Sequence, residues 1–328
     1  MMKRKVYTVL FTTALTGALL TGCSTGNQTS NSSESTSSQS STTTDSSKKD
    51  GVAKDDSKGG KYTSILSSTN WQGTVVKDAK GQDLTKENSE FIGLAKYDAE
   101  TGYYEFFDKE TGETRGDEGT FFITNDGNKR ILISSTKNYQ AVVELTEVSD
   151  ELFTYKRMGK DKEGNEVEVF VQHIPYDKEL SFTKGREELT TETGTIETNI
   201  PGDTILGETL WNGTKVYDEN GNDLTEENNM FISLAKFDAS NNQYEFFDID
   251  TGESKGDFGY FKVIDHNKLR THVSIGENKY GAVLEITELN DKKFTYKRTG
   301  KDKDGKEVTV FVEHTPYSGE YNPTFTFE

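Results

Sequence analysis

The sequence predicts an all-β protein built as two tandem antiparallel meanders, each closed as an up-and-down β-barrel or folded as a sandwich. Three observations predict it. Most of the chain occurs twice, the apolar residues within each copy alternate with period two, and short runs are separated by Gly/Asp/Asn clusters. Alternation marks half-buried strands, and such clusters mark hairpin turns. No long stretch has helical period, although "DLTKENSEF" suits one helical turn capped by Asp83 or Thr85.

The repeat sets the domain plan. "ILSSTNWQGTVVKDAKGQDLT" (65–85) returns as "ILGETLWNGTKVYDENGNDLT" (205–225), and "FTYKRMGKDKEGNEVEVFVQHIPY" (153–176) as "FTYKRTGKDKDGKEVTVFVEHTPY" (294–317). The offset is 140 at Trp71/Trp211 and 141 at Phe153/Phe294, so one residue is gained, near Asn278–Gly281. So long a period means tandem domains and not a solenoid. They are placed at 61–184 and 205–328, joined by a polar linker at 185–204.

Eight strands are expected in the first copy: Trp71–Lys77, Phe91–Asp98, Tyr103–Asp108, Gly119–Thr124, Arg130–Ser134, Ala141–Glu147, Leu152–Arg157 and Glu166–Pro175. Eight short strands with tight turns suit a meander. Comparing the copies shows which face is buried. Phe121 and Ile123 answer to Phe261 and Val263, whereas Phe122 answers to Lys262, so 121 and 123 face inward. The same logic turns Val143, Leu145, Phe153, Tyr155, Val169, Val171 and His173 inward. By alternation Arg157 and Arg298 also lie on the inner face, where a cation needs a partner.

The chain opens with a cationic head, Met1-Met2-Lys3-Arg4-Lys5, then a mostly apolar run from Val6 to Leu20. That is the layout of a secretory signal, too short to span a bilayer comfortably. It ends Leu20-Thr21-Gly22-Cys23, which resembles the bacterial lipobox. The resemblance implies a signal peptide at 1–22, cleavage between Gly22 and Cys23, and a diacylglyceryl group on Cys23. Two acyl chains suffice for stable anchoring. Cys23 is the only cysteine, which excludes internal disulfides, thiolate metal sites and cysteine nucleophiles. Residues 23–60 are Ser/Thr-rich, with no aromatic before Tyr62, and are expected to be a disordered tether. As a flexible coil it would span about 35 Å. Removing Lys3, Arg4 and Lys5 takes the net charge from −18 to −21, a field that opposes nucleic-acid binding.

Trp71 and Trp211 begin the two units. A first-strand Trp with an inward Arg late in the unit is similar to the lipocalin and calycin barrel. That resemblance implies the pairs Trp71–Arg157 and Trp211–Arg298 at a closed barrel end. The whole arrangement of lipobox, Ser/Thr tether and two "FTYKR…KDK-x-G-x-E" units resembles uncharacterised lipoproteins of low-GC Gram-positive bacteria that carry a domain of unknown function. This implies a location on the outer face of the cytoplasmic membrane and supplies no activity.

No catalytic set emerges. His173 and His314 recur on a valine face, and His266 and His272 occur only in the second copy, none with a visible nucleophile partner. Acids recur at Glu105, Asp108, Glu113 and Asp117, and at Glu245, Asp248, Glu253 and Asp257, where they suit turn capping better than glycosidase or calcium chemistry. The loop at 218–228 puts Gly221 at position four, whereas a calcium loop needs glycine at six. No cofactor, metal site or catalytic residue is assigned. The expectation is a non-enzymatic binding module for a small apolar ligand or an envelope partner. The alternatives are a surface-interaction protein with filled barrels and, last, a hydrolase using the repeated acids. A hollow interior would favour the first, a solid one the second.

Overall fold

A computed structural model describes residues 54–184, 189 and 195–327; the signal, Gly22, Cys23 and most of the tether lie outside the described residues. The first unit runs α1 (Lys58–Ser68), β1 (Asn70–Asp78), β2 (Leu94–Asp98), β3 (Tyr103–Phe107), β4 (Thr114–Ile123), β5 (Lys129–Ser134), β6 (Gln140–Val148), β7 (Phe153–Lys160) and β8 (Glu166–Tyr176). The second runs α2 (Gly202–Gly207), β9 (Trp211–Asp218), β10 (Leu234–Asp238), β11 (Gln243–Phe247), β12 (Ser254–Ile264), β13 (Leu269–Ser274), β14 (Gly281–Leu289), β15 (Phe294–Lys301) and β16 (Glu307–Pro316). In each unit the strands follow chain order and the last pairs with the first, closing an eight-stranded antiparallel barrel.

The expected alternation holds along the walls. Phe121, Phe153, Val169 and Val171 face the first core, and Phe261, Phe294, Val310 and Val312 the second. Fully burying a side chain of this size contributes about 1.5–3 kcal/mol. Bulges re-aim the walls at matching places. Between Phe106 and Phe107 the register on β4 jumps from Asp117 to Thr114, past Gly116 at φ 60°, and Gly256 repeats this at φ 69°.

Helix α1 is absent from the sequence reading, and it begins at Lys58, inside the stretch given to the tether. Ser57 caps it by accepting the Gly60 N–H at 2.9 Å. Two glycines in its first turn hide the helical signal, but close packing requires both there. A Cβ on Gly59 would stand 2.2 Å from the Thr124 carbonyl oxygen. Leu66 of α1, and Ile205 and Leu206 of α2, each plug one barrel end.

The outer faces of β4–β5 and β12–β13 meet. Phe122, Ile131 and Ile133 of the first barrel cluster with Tyr260 and Val273 of the second. Phe122 and Lys262, outward as expected, are therefore both buried. Lys262 Nζ lies 3.2 Å from Asp203 Oδ2 and 2.7 Å from Asp55 Oδ2, and donates also to Asn125. Burial opposes its charge, but Asp203 and Asp55 outweigh burial and hold its pKa above the ordinary lysine value.

Candidate functional site

Each barrel has a closed floor. The Trp71 indole N–H donates to the Leu66 carbonyl at 2.8 Å, and Trp211 does the same to Leu206 at 2.9 Å. A buried indole N–H needs such an acceptor. Trp71 meets Phe153 edge-on at 5.3 Å, and Trp211 meets Phe294 at 6.0 Å. Beside them His173 and His314 stack against Phe153/Tyr155 and Phe294/Tyr296. Burial, reinforced by the nearby Arg130 or Arg270, pushes both imidazoles down to about 3, so they are neutral.

Above the floor stands a buried arginine. Arg130 pairs across β5 with Ile123 and Val143, which fixes it inward. Its guanidinium lies 4.5 Å from the Tyr155 ring centre and 5.1 Å from Phe153, and donates to the Tyr97 hydroxyl at 2.5 Å. Arg270 repeats this at 4.6 Å from Tyr296 and 5.3 Å from Phe294, with Phe237 where the first barrel has Tyr97. Ring faces attract a desolvated cation by about 2 kcal/mol. These two arginines are the main interior feature that the sequence reading passed over. The signal was present: an arginine recurring at the same place in two matching strands.

Toward the mouth comes a carboxylate network. Asp117 accepts from Tyr104 (3.1 Å), Tyr139 (2.8 Å) and Ser134 (2.9 Å). Asp257 accepts from Tyr244 (3.1 Å) and Tyr280 (2.9 Å), and His272 Nε2 lies 3.3 Å from the Tyr280 hydroxyl. These two acids were expected at turns; the bulge on β4, and its twin on β12, turns them into the barrel instead.

The mouth is covered by the loop from β1 to β2, and by its counterpart from β9 to β10. The Asn88 amide donates to the Leu84 and Lys160 carbonyls and accepts the Lys160 N–H at 2.7 Å; Asn228 does likewise. Arg157 lies 3.8 Å from the Phe91 ring centre and Arg298 3.8 Å from Phe231. The expected pairs Trp71–Arg157 and Trp211–Arg298 are therefore not brought together. Trp71 is opposite Pro175, whereas Arg157 is opposite Val169. Six residues along β8 separate the two levels by about 20 Å.

The register places three charged side chains on the inner wall of each barrel: Asp117, Arg130 and Arg157, and Asp257, Arg270 and Arg298. Burial, with Arg270 and Arg298 nearby, holds His272 well below the usual histidine range. Each inner wall thus carries two arginines and one carboxylate.

The remaining acids have structural roles. Glu105 faces outward yet is fully buried, because the chain after β8 straps across it. It accepts the Thr183 N–H (2.8 Å), the Thr183 hydroxyl (2.6 Å) and the Thr114 hydroxyl (2.5 Å). Glu245 holds Thr326 and Ser254 in the same way. Asp108 and Asp248 cap their turns through Thr111 and Thr251, and Asp218 accepts from Asn220 and Asn222 within the 218–228 loop. Glu113 and Glu253 lie in those exposed hairpins, their carbonyls accepting from Asp108 and Asp248. His266 lies 3.4 Å from Glu100 at the surface. Among the described residues, no three His, Cys, Asp or Glu side chains are grouped to hold a metal ion.

The model of a family described as "Domain of unknown function (DUF4822)" matches residues 63–182 and again 203–325. The chain belongs to this family. Each DUF4822 match takes in the eight strands of one barrel. No curated protein matches the chain. Among solved structures, it is similar to a tryptophan-to-alanine mutant of the vaccine antigen Transferrin Binding Protein B from Haemophilus parasuis Hp5. That similarity has 10% identity, covers 77% of this chain and 76% of that one, and has a TM-score of 0.22.

Proposed function

We propose that this DUF4822 protein is an extracellular lipoprotein of a Gram-positive bacterium that binds a partner in the cell envelope through the outer surfaces of its two barrels. Residues 1–22 act as the signal, Cys23 carries the lipid, and the Ser/Thr-rich segment after it holds the barrels clear of the membrane. The lipobox resemblance and the composition of residues 23–53 support this part. Among the described residues no helix is long and apolar enough to cross a membrane.

One observation carries the choice between cargo and surface: the inner walls are packed. Trp71, Tyr104, Phe153, Val169 and Val171 in the first barrel, and their counterparts Trp211, Tyr244, Phe294, Val310 and Val312 in the second, have no exposure at all. A barrel that carries an apolar ligand keeps a lined cavity of a few hundred Å³ or more. The reading is non-enzymatic, since the repeated acids serve the strap, the turns and the tyrosine networks. Native mass spectrometry of the full chain from its host tests it. The expected spectrum shows the polypeptide with its covalent lipid. An apolar cargo that leaves on denaturation would overturn the surface reading.

A further inference from the structure

We propose that the second barrel, and not the first, binds a small carboxylate that carries one hydroxyl donor, at the inner face of β13 beside Arg270 and His272. This site is separate from the surface reading above and stands or falls independently of it.

The inference starts from a difference between two otherwise parallel interiors. In the first barrel Arg130 donates through Nη1 to Tyr97, which leaves only its Nε unpartnered, and the next inward residue on β5 is Leu132. In the second, Phe237 removes the hydroxyl and His272 replaces the leucine. Arg270 is 2% exposed, and its Nε and Nη1 have no hydrogen-bond partner; His272 Nδ1 has none either. Leaving one buried polar group unpaired costs about 1–3 kcal/mol. Residues 270 and 272 are successive inward positions on one strand, so the orphaned atoms share one wall.

The chemistry of the occupant follows from these atoms. Arg270 offers unpartnered N–H donors at Nε and Nη1, and the register gives this wall two arginines, Arg270 and Arg298, to one carboxylate, Asp257. A single negative charge restores the balance. The Tyr280 hydroxyl has one proton, and the Asp257 carboxylate takes it at 2.9 Å. His272 Nε2 therefore donates to the Tyr280 oxygen, which leaves Nδ1 bare as an acceptor. The occupant needs an anionic acceptor for Arg270 and an O–H for His272. Bicarbonate and short α-hydroxy acids have both; acetate has only the first. The walls around these atoms are packed, so even these small anions enter only with a shift of the Asn228–Phe231 loop.

The test titrates sodium glycolate and sodium bicarbonate into the full chain, with acetate and chloride as controls at equal ionic strength. Binding is followed by isotope-edited NMR of the arginine Nε–H and histidine ring signals. One equivalent of glycolate or bicarbonate per chain is expected, with perturbation of Arg270 and His272. Acetate should bind about tenfold more weakly, the value of one hydrogen bond to a buried group. The variant Phe237→Tyr/His272→Leu installs the residues of the first barrel and is expected to fold and to lose binding. Should the pair misfold, His272→Leu alone gives the same reading, with acetate and glycolate becoming equal. Equal affinity for all four salts, two equivalents per chain, or unchanged binding in either variant would overturn the proposal.

Discussion

Lys262 Nζ sits 3.2 Å from Asp203 Oδ2 at a place where the first barrel has Phe122. The ammonium also reaches Asp55, so one side chain ties the segment before α1, the start of α2 and the wall of β12 together. Lys262→Met leaves buried carboxylates without their cation and is expected to cost about 3–5 kcal/mol. Asp203→Asn in the same chain should recover part of that loss. Urea denaturation of both variants checks it; additive losses would mean that the two groups do not couple.

Glu105 and Glu245 predict a tail effect. Glu105→Gln removes the charge that Thr183 and Thr114 share, and should cost about 1–3 kcal/mol. Amide exchange at Thr183 should accelerate while strands such as β8 keep their protection. Glu245→Gln should do the same at Thr326.

The buried histidines predict a pH dependence. His173 and His314 are held at about 3, and His272 is held well below its ordinary value. Unfolding returns each to about 6.5, so the unfolded chain binds more protons between these values. Their stabilising contribution is complete above pH 6.5 and falls as the pH drops toward 3, by about 1.4 kcal/mol per pH unit for each imidazole. Urea midpoints at pH 7 and pH 5 measure it. His272→Leu should flatten the slope, and an unchanged slope would place His272 in water.

Arg298 lies over Phe231 at the mouth, and Trp211 lies on the floor. Arg298→Ala should therefore leave the Trp211 emission maximum in place while loosening the Asn228–Phe231 loop. A shifted emission would mean that the guanidinium reaches the indole after all.

Cys23→Ser predicts the location. Without the acyl chains the protein should move from the membrane fraction to the medium. Retention in the membrane fraction would point to another anchor.

The strands and their inward faces were legible because two copies of one sentence filter out the positions that only solvent sees. Parity, however, tells the face and not the level. Arg157 was correctly turned inward, but only the pairing of Trp71 with Pro175 shows that it stands at the other end of the barrel. Asp117 was hidden by a bulge, which shifts register without any change in alternation. Helix α1 was hidden by Gly59 and Gly60, whose low helical propensity is overridden by tight packing on Thr124 and Asp55. Phe122 was visible as an outward phenylalanine, and the junction explains it.

The junction also has a symmetry. The β4–β5 face of one repeat meets the β12–β13 face of the other, which is the same face. A surface that meets its own copy is the mark of a two-fold homodimer. Here both halves of such a contact lie on one polypeptide, which carries its own mate. A homodimer must place the same residue on both sides of its axis. A single chain with two repeats is free of that constraint, and it places Phe122 on one side of the junction and Lys262 on the other.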